Sequence, residues 1–145
     1  MTAAHPQADG ATRAMSAAIR QSGLTTDDID YISAHGTSTP FNDARETKAV
    51  KQVFGSHISK LAVSSIKSMI GHTLGASGAL ATIATIMALR DHSLPPTINY
   101  EHSDPECDLD YIPNTTRRTA ARTALVNAFG FGGTNAVLAL RGVSA

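Results

Sequence analysis

The feature that most constrains this chain is the stretch from His72 to Leu89, eighteen consecutive residues without a formal charge. It is near the length of a membrane span. Gly75, Gly78, Ser77, Thr73, Thr82 and Thr85 dilute its large apolar residues, however, whereas a lipid-spanning helix is richer in Leu, Ile and Val. The stretch reads instead as a helix buried in protein, with no membrane span. Leu74, Leu80, Ile83, Ile86, Met87 and Leu89 fall around most of its circumference, and a helix apolar all round needs cover on every side. A single sheet covers one side only. Gly75, Ala76, Gly78 and Ala79 leave one surface small enough for a second backbone to come close. The helix is therefore expected to lie between two layers, with this chain as half of a larger body.

The 145 residues suit one domain. An apolar share of 42% against 17% charged residues gives a packed globule rather than a disordered tail. Twelve Lys and Arg balance twelve Asp and Glu, with no long run of one sign, so nucleic acid is not an expected partner. The single cysteine, Cys107, excludes an internal disulfide and a paired-cysteine metal knuckle, which fits a reducing compartment with the cytosol as the default. The opening "MTAAHPQADG" is polar and does not read as a signal peptide.

Along the chain, helices and strands alternate. Asp9 is a candidate cap for a helix over 11–22, in which Met15, Ala18 and Ile19 form one face and Gly23 the stop. "YISA" reads as a short internal strand that runs straight into "HGTST". Asp43 and Glu46 have the spacing of a capping box, N-cap and N3, for a second helix with Ala49, Val50, Val53 and Phe54 on its apolar stripe. "KLAVSSI" is a second strand, followed at once by the uncharged helix from about His72 to Leu89. The proline-rich stretch 95–118 has little periodicity, and an irregular connection that long usually carries function. "RTALVNAFGFGGTNAVLAL" reads as an antiparallel hairpin closing the sheet. The order gives an α/β fold: a mixed sheet with helices on its faces.

Ligands in open α/β sheets gather beyond the carboxyl ends of the strands, and three polar clusters stand there. In "HGTST", His35 leaves a strand and Gly36 permits a tight departure, with Thr37, Ser38 and Thr39 adding hydroxyls; the plainer reading is a loop leading into a helix, whose hydroxyls satisfy backbone groups. In "KSMIGHTLGASG", Lys67 ends a strand and His72 stands at or just before a helix start, where positive partial charge disfavours imidazolium and leaves a neutral N–H donor suited to an oxyanion. Alternatively His72 caps the helix and Lys67 is a solvated surface charge. The third cluster, Gly130 to Asn135, is either a hairpin turn or a set of backbone N–H groups for an oxyanion, with Phe131 able to swing as a gate. Its glycines, like those of "GHTLGASG", match neither the dinucleotide nor the GK[ST] phosphate pattern. None of the six histidines forms an H-x-x-x-H pair, so no metal is expected. Cys107 stands among Asp104, Glu106, Asp108 and Asp110, whose charges oppose a thiolate.

The strings "HGTSTP", "SIKSMIGHTLGASG" and "NAFGFGGTNA", in this order and spacing, resemble the C-terminal half of the β-ketoacyl-acyl-carrier-protein synthases, condensing enzymes of the thiolase-like superfamily; the resemblance covers nearly the whole chain. Ser33 stands where the family more often has Asn, and Ala81 where many relatives carry Glu. The resemblance implies two similar α/β halves packed as five layers, a central pair of helices between two sheets, and no cofactor. It implies that a cysteine of the N-terminal half accepts the acyl chain, while His35 and His72 hold the malonyl thioester oxygen during decarboxylation to an enolate. Lys67 would orient charged groups near them, Asp43 and Glu46 would belong to an acidic network, and Phe131 would be the gate. Thr37, Thr39, Gly130, Phe131 and Gly132 would border the substrate. The implied reaction is elongation in fatty acid biosynthesis, with malonyl and acyl carrier proteins as partners and a homodimer as the complete enzyme. Nothing in residues 1–145 matches the nucleophilic cysteine, so the chain is expected either to be part of a whole synthase, as a fragment or a domain, or to work with a separate, complementary N-terminal half. A noncatalytic subunit, such as a chain-length factor or other polyketide synthase partner, is the rival reading.

Overall fold

The computed structural model of the chain describes residues 9–142. Helix α1 (Asp9–Gln21) places Met15 and Ile19 on its inner face and ends at Gly23 with φ 71. Asp9 is the first residue of this helix, so it is not its cap. Strand β1 (Tyr31–Ser33) is followed by α2 (Asp43–Phe54), and β2 (Ala62–Ser64) by a single helical turn, α3 (Lys67–Ile70). Helix α4 (Ser77–Arg90) leads to β3 (Ser93–Leu94), which pairs antiparallel with β4 (Arg117–Arg118) across the irregular segment. The hairpin β5 (Thr123–Phe129) and β6 (Asn135–Arg141) completes the chain.

Four strands form one mixed sheet in the order β2-β1-β5-β6, in which β1 runs parallel to β2 and β5, and β6 runs antiparallel to β5. Side chains alternate across this sheet and divide the core in two. On one face Ile32, Val63 and Leu125 meet Met15 and Ile19 of α1 and Ala49, Val50 and Phe54 of α2. On the other, Tyr31, Ala62 and Ala124 meet Ala88 and Leu89 of α4 together with Leu94, Ile112 and Ala121. The Asp30 carboxylate staples the start of β5 to β1 by accepting the N–H groups of Arg122 (2.7 Å) and Thr123 (3.0 Å).

The uncharged helix starts later than its composition suggests. Gly71 with φ 74 and Leu74 with φ 50 break the helical path, so the regular helix begins at Ser77 and His72 lies five residues ahead of it. Helix α4 buries Ala81, Thr85, Ala88 and Leu89, the i, i+4, i+7, i+8 stripe that faces the sheet. Its outer face is bare: Ile83 is 54%, Ile86 52% and Met87 47% exposed. The expectation of a helix that needs cover on both sides is thus met on one side within this chain. No helix among the described residues is long and apolar enough to cross a membrane.

Candidate active site at the strand exits

Strands β1 and β2 lie side by side in parallel, so the segments that leave them emerge next to each other. Gly36 sets how close they come. Its φ is 45, and a Cβ built on it would stand 2.6 Å from Ser65 Cβ, so only glycine fits where "HGT" crosses "SSIK". The result is an imidazole pair: the rings of His35 and His72 meet edge to face with centroids 5.6 Å apart.

Each ring is held differently. Nδ1 of His72 accepts the Leu74 N–H at 3.1 Å and lies 2.9 Å from Ser77 Oγ. A backbone N–H pointing at Nδ1 requires that nitrogen's lone pair, which leaves the ring proton on Nε2, facing away from the loop. The contact that orients the ring is therefore a local backbone one, and the helix whose dipole is expected to act here starts only at Ser77. His35 is half-buried, with its ring 5.7 Å from Phe129. Burial first, then the ammonium of Lys67 and the neighbouring His72 ring, pulls its pKa down to about 4, while Asp43 opposes the shift. His35 is a neutral imidazole at physiological pH.

The His35 backbone is gripped as well. Glu46, 6% exposed, accepts the N–H of His35 and that of Gly36, each at 2.9 Å, together with Asn42 Nδ2 at 3.1 Å. This replaces the capping-box reading. The N-cap is Asn42, Asp43 is the first helical residue, and Glu46 reaches past the helix start to the strand exit. Asp43 accepts the Ser38 N–H at 3.1 Å, and burial raises its pKa. Lys67 opens the short α3 and does not end the strand. Burial lowers its pKa against the pull of Glu46 and Asp43. These three residues form the mixed-charge surroundings of the pair.

Thr37 and Thr39 are linked at 3.1 Å between their hydroxyl oxygens. They line a cleft of about 880 Å³ with Lys67, Tyr100 and Tyr111, between the start of α2 and the irregular segment. The two imidazoles do not line that cleft; they meet outside it, where His72 is exposed. In the hairpin turn, Gly130 donates its N–H to Thr134 O at 2.6 Å, so that amide is spent in closing the turn and is not free for an oxyanion. Phe131 stands at the tip, 77% exposed, with Gly132 beside it at φ 74. The aromatic residue against His35 is Phe129, which the sequence reading passed over. Strand alternation puts Leu125, Asn127 and Phe129 on one face and was the available signal. Burial raises the pKa of Cys107, consistent with an inert thiol. Among the described residues no group of three or more His, Cys, Asp and Glu side chains is placed to hold a metal.

The chain is similar to known proteins in sequence and in fold. Residues 1–101 match the family described as "Beta-ketoacyl synthase, C-terminal domain". The chain is 52% identical over 141 residues to 3-oxoacyl-[acyl-carrier-protein] synthase 2 of Synechocystis sp., covering 97% of this chain and 34% of that protein. It is 50% identical over 138 residues to Nodulation protein E of Rhizobium sp., covering 95% of this chain and 34% of that one. Among solved structures, it superimposes with a TM-score of 0.94 and 38% identity on a type II PKS acyl-carrier protein in complex with its ketosynthase bound to the hexaketide, over 99% of this chain and 35% of that one. The ishigamide ketosynthase/chain length factor gives a TM-score of 0.93 and 38% identity, over 99% and 34%. The fold is accordingly the thiolase-like fold of the ketosynthases. The chain spans about a third of the length of these relatives.

Proposed function

The chain belongs to the β-ketoacyl synthase family, and from that premise we propose that it supplies the histidine half of an elongating β-ketoacyl-acyl-carrier-protein synthase in fatty acid biosynthesis. A complementary N-terminal half brings the nucleophilic cysteine, which carries the growing acyl group as a thioester. His35 and His72 donate hydrogen bonds to the thioester oxygen of malonyl carrier protein. Loss of carbon dioxide then leaves an enolate whose negative charge sits on that oxygen. The enolate carbon attacks the acyl-cysteine carbonyl, the carbon–carbon bond forms, and the cysteine thiolate leaves.

The observation that carries this reading is the edge-to-face imidazole pair, with the Nδ1 of His72 engaged so that Nε2 keeps the proton. Two neutral donors stabilise the oxyanion more than the ground-state carbonyl, which is where a rate gain comes from. Lys67 beside the pair orients the departing carboxylate, and Phe131 gates the approach. Thr37, Thr39 and the glycines Gly130 and Gly132 border the substrate. The partners are malonyl and acyl carrier proteins, and the complete enzyme works as a homodimer in the cytoplasm.

The test is carbon dioxide release from malonyl carrier protein by the chain assembled with its N-terminal half. His35→Ala and His72→Ala are each expected to lose about 100-fold or more. Unchanged release in both variants removes the reading. A second reading, a noncatalytic chain-length-factor-like subunit, is favoured by the likeness to a ketosynthase/chain length factor. It predicts no release from the unaltered protein in the first place.

A further inference from the structure

We infer that Asn127 is a positioning residue for His35 and that it acts through Glu46; the inference deepens the decarboxylating role proposed above and rests on it. Asn127 lies on β5 and is 2% exposed. Its Nδ2 donates to Glu46 Oε1 at 3.0 Å. The same oxygen accepts the His35 N–H at 2.9 Å.

Of the four N–H donors on the Glu46 carboxylate, three come from the segment that Glu46 itself organises: His35, Gly36 and Asn42. Such a loop of contacts can shift as a unit. Among the described residues Asn127 is the one donor from a different part of the fold, 81 residues away in sequence, and it ties the carboxylate to the middle of the sheet. The register places it for this task, because Val126 pairs with Ser33, the last residue of β1, so Asn127 stands beside the point where the chain turns toward His35.

The amide orientation follows from charge. Turned over, Asn127 would aim its carbonyl oxygen at a carboxylate, so the NH2 faces Glu46. Its other contact from Nδ2, Met15 Sδ at 3.6 Å, is a weak acceptor. Oδ1 has no hydrogen-bond partner among the described residues, so the bond to Glu46 is the side chain's principal polar contact. Two residues further along the same face of β5, Phe129 packs on the His35 ring. One strand thus steers both ends of the histidine, the backbone through Asn127 and Glu46 and the ring through Phe129.

Asn127 touches no substrate in this arrangement, so its loss should lower turnover and leave substrate affinity alone. In the chain assembled with its N-terminal half, Asn127→Ala is expected to cut kcat for carbon dioxide release by about 10- to 100-fold, as a misplacement near 1 Å does, with KM changed less than about twofold. Glu46→Ala and the double variant Glu46→Ala, Asn127→Ala should be equally slow, since Asn127 has nothing to act through once Glu46 is gone. Asn127→Asp is isosteric but sets a second carboxylate against Glu46; relative to the unaltered enzyme it should recover as pH falls and a proton comes to bridge the two. Selective ¹⁵N-histidine labelling should show the His35 backbone amide resonance moved in Asn127→Ala and that of His72 in place. Losses that add in the double variant, or an unmoved His35 amide in a folded Asn127→Ala protein, overturn the inference. The amide measurement needs no turnover: an inactive unaltered enzyme would defeat the functional reading and still leave the Asn127 assignment to be decided by that resonance.

Discussion

The two faces of the sheet are built to different degrees of completion. Against α1 and α2 the core is closed: twelve buried residues interlock, and seven partly buried ones seal the rim. Against α4 the buried set is smaller, eight residues with only Leu140 packed at its edge, and the helix that covers it turns an apolar surface outward. The first face holds the chain together. The second holds it together only on its inner side and offers the rest as material for an interface. The site residues sit at the ends of the strands between these faces, where α2 supplies Glu46 from the closed side and the segment before α4 supplies His72 from the open one.

The contrast can be broken most directly on the closed face. Ile32→Ala, at a fully buried position, is expected to cost about 3 kcal/mol by the usual loss for a large-to-small core change, measured by urea unfolding. A cost near zero would mean that this face is not the stabilising one. At the seam between the strand exits, Gly36→Ala meets both a left-handed φ and Ser65, and a loss of about 2 kcal/mol is expected as a lower Tm. On the open face, Ile83→Ser, Ile86→Ser and Met87→Ser should each stay within about 0.5 kcal/mol in this chain alone while reducing apolar-dye binding. Large destabilisation there would show that the outer surface is already covered.

The remaining effect is one of pH. His35 has a folded pKa of about 4 against an ordinary 6.5, so the unfolded chain takes up this proton first as the solution is acidified. Its contribution to stability is complete above about pH 6.5 and is lost as pH falls toward 4. His35→Gln should therefore narrow the gap in stability between those two pH values, as read from paired urea titrations.

Much of the fold was legible in local pattern. The apolar stripes of α1 and α2, the β5–β6 hairpin and the packing of the uncharged helix on the sheet all follow from periods of 3.6 and 2. The clusters "HGTST" and "KSMIGH" were placed at strand exits, and the exits do bring His35 and His72 together. What local pattern could not show depends on contacts between distant residues. Glu46 has the spacing of a helix-capping residue, and only the folded chain reveals that its acceptors serve the other side of the loop. Asn127 reads as an ordinary strand residue until β5 lies beside β1. The late start of α4 arises from Leu74 at φ 50, a left-handed conformation that leucine rarely adopts and that no propensity would suggest.

The missing methyl group at Gly36 works as a ruler. With Ser65 Cβ and Oγ filling the space where any larger side chain would begin, the Gly36 backbone packs directly against the Ser65 side chain. Any residue larger than glycine at position 36 would accordingly force the two strand exits apart.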